Sequence, residues 1–142
     1  MKRNFITSIA TLTLALAAFS AQAEDTRPKV EVPQMMVTHM LGNMRDHLQA
    51  INEIQAALAK SEFDKAADIA EQRIGMSSLE AHHAAMMAPY MPKTMQDIGT
   101  KMHHAASRFA LAAKEGDMQK SLSELSKITQ QCVACHAGYR VN

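Results

Sequence analysis

The sequence predicts an all-α protein, an antiparallel four-helix bundle of up-down-up-down topology. Two observations lead to this prediction. Apolar residues recur at steps of three or four along four stretches, which is the period of an amphipathic helix, whereas the alternation typical of strands is absent. The stretches follow one another through short connections, and short connections between long helices favour antiparallel neighbours.

The first 23 residues have the order of a secretory signal peptide. Lys2 and Arg3 form a positive start, an apolar stretch at about 6–19 follows, and an Ala-Gln-Ala triplet ends at Ala23. The apolar stretch is shorter than the roughly 20 residues that span a bilayer. We therefore expect residues 1–23 to be a signal peptide that is cleaved, with export to the periplasm and no membrane span. A retained N-terminal anchor is the alternative.

The charge balance of the remaining chain is near neutral. Without the leader, 13 Lys and Arg side chains face 14 Asp and Glu side chains. Nucleic-acid binding usually relies on a basic patch, so nucleic acid is not an expected partner. Methionine is abundant, at 12 residues against 6 Phe and Tyr. Thioethers fill irregular apolar space and are also soft metal ligands, so either use explains the count.

The chain after the leader divides into an extended N-terminal segment at 24–33 and a four-helix domain at 34–142. The segment contains two prolines and no periodicity. The first helix is predicted at about 34–59, where apolar residues line one face. The second begins with a Ser-Glu-Phe-Asp start pattern at 61–64 and continues to about Met87, before two prolines.

The third and fourth helices are separated by a clear stop and start. The third begins near Thr94, with Asp97 three positions on, and ends before Gly116. Glycine at that position suits a left-handed helix end, and Asp117 can cap the helix that follows. The fourth helix begins at Met118 and reaches the cysteine motif.

The motif Cys132-Val-Ala-Cys135-His136 reads as C-x-x-C-H, the attachment pattern of c-type haem. On a helical turn, Cys132 and Cys135 lie on one side and can form thioether bonds with the two vinyl groups of one porphyrin. His136 can then bring an imidazole nitrogen to the iron. We therefore expect one covalently attached haem c, with His136 as the proximal iron ligand.

Three other readings of the two cysteines explain less. A thioredoxin-like redox pair requires a βαβ setting, which the helical pattern lacks. A structural zinc site usually takes four ligands, and no second C-x-x-C is present. A plain disulfide leaves His136 unexplained.

The longer stretch Cys132-Val-Ala-Cys135-His136-Ala-Gly-Tyr139-Arg140 resembles the C-terminal motif of the cytochrome c′ family and its low-spin relatives. The resemblance covers the helix pattern of about 33–140 but is specific only over the last nine or so of those residues. It implies Cys132 and Cys135 as thioether sites, His136 as the proximal ligand, and Arg140 as a cation close to the haem. Family members often dimerise through their first two helices, so a homodimer is an alternative to a monomer.

The resemblance also implies two possibilities for the side of the iron opposite His136, the distal side. Five-coordinate members of the family block it with an apolar side chain and bind small gases, whereas low-spin members supply a methionine from the first helix. In the predicted topology the first helix starts beside His136, which makes its early methionines candidates: Met35, Met36, Met40 and Met44. Aligning the helix patterns favours Met44 as the distal ligand, with Met40 one turn earlier as the runner-up. Most of the other methionines then fill the core.

Histidine and methionine also cluster at 82–95, in the stretch HHAAMMAPYMPKTM. This stretch could form a wall of the haem pocket, or a copper site of His and Met type. The other reading is a Met-rich core with surface histidines. His39 and His47 lie near the same predicted end of the bundle, so either could be an unexpected distal ligand.

Together these patterns predict a periplasmic monohaem c-type cytochrome that carries single electrons between redox partner proteins. A second axial ligand favours electron transfer because both oxidation states keep the same coordination shell. No acid, base or nucleophile constellation indicates an enzyme. Two alternatives remain: a five-coordinate cytochrome c′-like protein that binds NO or CO, and a Met/His-rich copper-binding protein without haem.

Overall fold

The computed structural model describes residues 24–141, and their fold class is all-α, as the sequence predicts. They form five α-helices and contain no strand: α1 Gln34–Leu58, α2 Phe63–Arg73, α3 Ala84–Met87, α4 Lys93–Lys114 and α5 Met118–Gly138. Two short 3₁₀ turns, Met76–Ser78 and Ala88–Tyr90, flank α3. The signal peptide predicted at 1–23 lies outside the described residues. None of the described helices is both long and apolar enough to cross a membrane.

The long helices pack in chain order, consistent with a helical bundle. Helix α1 packs against α2, α2 against α4, and α4 against α5. Their shared core contains Phe109, Ile54 and Ile128, each at most 1% exposed. Alanines at helix contacts, such as Ala106, allow close approach of the backbones. Helices α1 and α5 are not among the closely packed pairs of the described chain, which leaves room between them for a cavity.

Helix α2 is shorter than predicted, because the helical pattern breaks at Gly75 instead of continuing to Met87. The Gly75 backbone is extended, with ψ of −176°, and its amide donates to Ala70 O. A Cβ at this position would lie 2.8 Å from Glu71 Cα, so the close approach of the chain requires glycine. The Glu71 carboxylate then accepts hydrogen bonds from the amide and the hydroxyl of Ser77, so both of these donors beyond the break have a partner.

Irregular chain therefore replaces the predicted second half of that helix. His83 adopts a left-handed backbone conformation with φ of 53° before the single turn of α3. Pro92 directly precedes α4. This connection covers one side of the molecule and brings His82 and Met87 towards α1 and α4.

The junction between α4 and α5 matches the predicted stop and start. Gly116 has a φ of 73°, in the left-handed region that glycine adopts without strain. Asp117 caps α5, since its carboxylate accepts a 2.9 Å hydrogen bond from the Lys120 amide.

The N-terminal segment pairs with the residues that follow α5. The Val30 amide donates to Arg140 O at 2.8 Å, and the Arg140 amide donates to Pro28 O at 3.0 Å. Val30 is buried in a second apolar cluster with Met40, Met87 and Met95. Both chain ends of the described structure therefore meet beside the start of α1.

Candidate functional site

A cavity of about 600 Å³ opens between α1, α4, α5 and the connection that replaces the end of the predicted second helix. Its walls are mainly apolar, and no Asp or Glu is among the described residues that line it. Ligand pockets in proteins are usually apolar concavities of about 300–1,000 Å³ with a few polar groups. The cavity therefore has the size and chemistry of a site for a large, mainly apolar ligand.

Helix α5 presents the cysteine motif to this cavity. Cys132, Cys135 and His136 all line it. The two thiols are half-buried and are not joined by a disulfide. Burial raises the pKa of both thiols, so both are protonated at neutral pH. One wall of the cavity thus holds two thiols one helical turn apart, directly beside an imidazole.

The end of α5 is held from outside the cavity. Tyr139 packs against the second apolar cluster. The Arg140 Nε donates a 3.1 Å hydrogen bond to Arg27 O, and Arg140 is not among the residues that line the cavity. Its role as a cation close to a haem stays a prediction.

Methionines from α1 face the cavity from another wall. Met40 is buried and Met44 is 37% exposed, and both line the cavity. The two other early candidates do not: Met36 packs in the second apolar cluster, and Met35 is 76% exposed. Of the four methionines predicted as candidates, Met40 and Met44 therefore line the cavity, and the identity of a distal iron ligand stays a prediction.

The Met-rich stretch at 82–95 contributes to the wall unevenly. Met87, Met91 and Met95 line the cavity, whereas Met86 is 56% exposed and is not among the lining residues. Thioethers therefore form much of the apolar surface, in agreement with their use as adaptable filling.

Three histidines form a further group on the cavity wall: His47 from α1, His82 from the connection and His103 from α4. We call these residues the histidine trio. Their ring centroids lie 4.7 Å apart for His47–His82, 5.6 Å for His82–His103 and 6.3 Å for His47–His103. With the side chains as they stand, no group of three or more His, Cys, Asp or Glu residues within 24–141 has the arrangement to hold a metal ion.

The trio is uncharged at neutral pH. Burial lowers the pKa of His47 to about 4, and burial also lowers the pKa of His82 and of His103. His47 is only 6% exposed, yet neither of its ring nitrogens has a hydrogen-bond partner. Unpartnered buried polar groups are uncommon in native proteins and each requires an explanation.

Sequence reasoning singled out His47 but did not assemble the trio. Its position three residues after Met44 places it near the α1 methionines. The adjacent residues His103 and His104 predict rings that point apart, one of them towards solvent. His104 is exposed and His103 is buried. Nothing in the sequence joins His82 to His103, since the irregular connection that brings them together was predicted to be helix.

No family model, curated protein or solved structure matches this chain. The function is therefore inferred from the side chains of the cavity.

Proposed function

We propose that this protein is a periplasmic monohaem c-type cytochrome that carries single electrons between redox partner proteins. The observation that carries the proposal is the C-x-x-C-H motif on one wall of the apolar cavity. Cys132 and Cys135 would hold the haem through thioether bonds, and His136 would be the proximal iron ligand. Bound there, the haem would supply a one-electron Fe(III)/Fe(II) couple.

The residues present fit such a group on three counts. The cavity volume of about 600 Å³ suits a large planar ligand. The donor set of two thiols and one imidazole, at positions 132, 135 and 136 of one helix, is the set that c-type haem uses. The thioether and aliphatic side chains around it would exclude water, and low polarity around an iron site is one of the levers that set its potential.

For the distal side we propose Met44 as the second iron ligand, with Met40 as the runner-up. Both side chains line the cavity from α1. Met40 is the more deeply buried of the two, whereas Met44 is 37% exposed. A His/Met pair keeps the same coordination in both oxidation states, which suits an electron carrier better than a gas-binding protein with an open position.

We also propose the antiparallel up-down-up-down order for the four longer helices. Two junctions support it. The α1–α2 junction, including the first turn of α2 at 63–65, shares a shallow pocket with the α4–α5 junction at 114–116. At the cavity, early α1 residues such as Met40 face late α5 residues such as Cys135. In this order the haem would lie between α1 and α5.

A pyridine haemochrome assay and visible spectra of protein exported to the periplasm, in cells able to attach haem c, test the proposal. We expect one haem per chain that resists acid-acetone extraction, and a low-spin spectrum with sharp α and β bands on reduction. The Cys132→Ala/Cys135→Ala double variant is the matched control and should carry no covalent haem. A high-spin spectrum that changes with CO would instead favour a gas-binding protein. Haem-free protein that retains copper would favour a copper carrier.

A further inference from the structure

The histidine trio has the spacing of three ligands around one metal ion. With metal–nitrogen bonds of about 2.0–2.1 Å and angles between about 90° and 120°, two imidazoles on one ion have ring centroids about 4.5–5.5 Å apart. The His47–His82 separation of 4.7 Å lies inside this range, and the His82–His103 separation of 5.6 Å lies at its edge. The His47–His103 separation of 6.3 Å is longer, so the trio has to close slightly around an ion.

In two of the three rings, those of His103 and His82, Nδ1 donates a hydrogen bond to a nearby oxygen. Metal-bound histidines usually have such a bond on the nitrogen that does not bind the metal. His103 Nδ1 lies 2.5 Å from Ile74 O, and a carbonyl only accepts, so Nδ1 carries the proton and Nε2 keeps its lone pair. The Ser78 hydroxyl donates to Gly75 O at 2.7 Å, so its oxygen accepts from His82 Nδ1 at 3.2 Å. His82 therefore also keeps its lone pair on Nε2. Histidine ligands typically donate their second N–H to such partners.

His47 is the ring that an ion would satisfy. Neither of its nitrogens has a partner, so no hydrogen bond opposes rotation of the ring. Rotation about the Cβ–Cγ bond leaves the ring centroid nearly in place, which means that the ring can turn a nitrogen towards its neighbours while keeping the 4.7 Å separation from His82. This rotation, together with a shortening of the 6.3 Å separation between His47 and His103, separates the observed side chains from a finished metal site.

We propose that His47, His82 and His103 bind one divalent transition-metal ion of the zinc or copper class. Neutral imidazoles suit these metals, and the thioethers that share the cavity wall add soft character. Calcium and magnesium prefer oxygen ligands, and the described cavity wall offers no carboxylate. The three ligands come from α1, the connection and α4, so the site does not depend on the cysteine motif of α5.

Titration calorimetry with ZnCl₂ tests this site in tag-free, EDTA-dialysed protein. The unmodified chain serves as the parent, and the Cys132→Ala/Cys135→Ala variant is titrated beside it to identify zinc that the thiols bind themselves. We expect one equivalent of zinc to bind. The change His47→Leu or His103→Leu should weaken binding at least about tenfold, the loss that even an outer-shell partner of a metal ligand can cause. The change His104→Leu, at the exposed neighbour, should leave the affinity unchanged.

Equal zinc affinity in the trio variants and in the His104→Leu control would overturn the proposal, as would no zinc binding by the parent. Circular dichroism of each variant reports whether it is folded, and His82→Leu, at a half-buried position, takes the place of any variant that is not. Haem content of the unmodified chain is measured separately. A chain that carries no haem but binds zinc through the trio would overturn only the proposed cytochrome function.

Discussion

Arg27 donates a 2.5 Å hydrogen bond from Nη1 to the carbonyl oxygen of His136, across 109 residues of sequence. Asp25 holds the same guanidinium, and the hydrogen bond from Arg27 lowers the pKa of the Asp25 carboxyl to about 2. Together with the backbone pairing of Val30 to Arg140, this bond ties the N-terminal segment to the last turn of α5. The segment therefore acts as a strap over the residue proposed as the proximal iron ligand.

Loss of the Arg27 side chain should loosen this strap. In Arg27→Ala we expect faster amide hydrogen exchange at Val30 and Arg140, because their pairing loses its neighbouring side-chain anchor. Hydrogen exchange read by mass spectrometry measures it. Lys29→Ala is the matched control, since Lys29 lies on the same segment but pairs only with exposed Glu31 among the described ion pairs. Equal exchange in both variants would contradict the anchoring role.

Replacing Met44 and replacing Met40 should have different effects on the haem spectrum. If Met44 is the distal ligand, Met44→Ala converts the haem to high spin, because the iron loses its sixth ligand. Met40→Ala should then keep a low-spin spectrum and lower the stability, since it removes a buried side chain at a cost of about 2–5 kcal/mol. Visible spectra and urea denaturation of both variants measure these effects. The reverse spectral pattern would assign the ligand to Met40.

His47 should make the stability of the metal-free protein depend on pH. Its pKa is about 4 in the folded state and about 6.5 when exposed, so the unfolded chain binds more protons between these values. The contribution of neutral His47 to the free energy of unfolding is therefore fully present above about pH 6.5. It falls as the pH drops, and the loss due to His47 reaches roughly 3 kcal/mol at pH 4. His82 and His103 act in the same direction, because burial lowers the pKa of each.

Urea denaturation at pH 7.5, 5.5 and 4.5 in EDTA measures this dependence. His47→Leu removes the titrating group and should flatten the decline between pH 6.5 and 4.5. It should also raise the stability at pH 7.5, because an unpartnered buried imidazole gives way to an apolar side chain. A decline as steep as that of the unmodified protein would show that His47 is accessible to protons in the folded state.

Two glycines should respond in opposite directions to an added methyl group. Gly75→Ala places a Cβ 2.8 Å from the Glu71 Cα, so the backbone must shift, at a cost of about 1–3 kcal/mol. Gly42→Ala in α1 meets nothing within 4 Å and should stabilise the helix by about 0.5–1 kcal/mol. Denaturation midpoints of the two variants measure the difference. Similar midpoints would contradict the close approach at Gly75.

Several features of this fold could be predicted from short stretches of the sequence. The start of α1 at Gln34 follows Pro33, and the boundary between α4 and α5 follows from Gly116 and Asp117, whose effects depend on their immediate neighbours. The cysteine motif can also be recognised locally, because its five consecutive residues are enough to predict haem attachment. The end of α2 was misread, since the close approach between Gly75 and Glu71 outweighed an apolar period that continued beyond it.

The helical class, the bounds of α1, the boundary between α4 and α5 and the cysteine motif follow from the sequence alone, because each depends on residues within a few positions of one another. Which distant side chains meet depends on the tertiary packing and could not be predicted from the sequence. Of the four candidate methionines, Met40 and Met44 lie on the cavity wall, and His47, His82 and His103 lie there as well. The physical reason is packing: α1 and α5 stay apart while an irregular connection folds over the space between helices, and no local pattern encodes that juxtaposition.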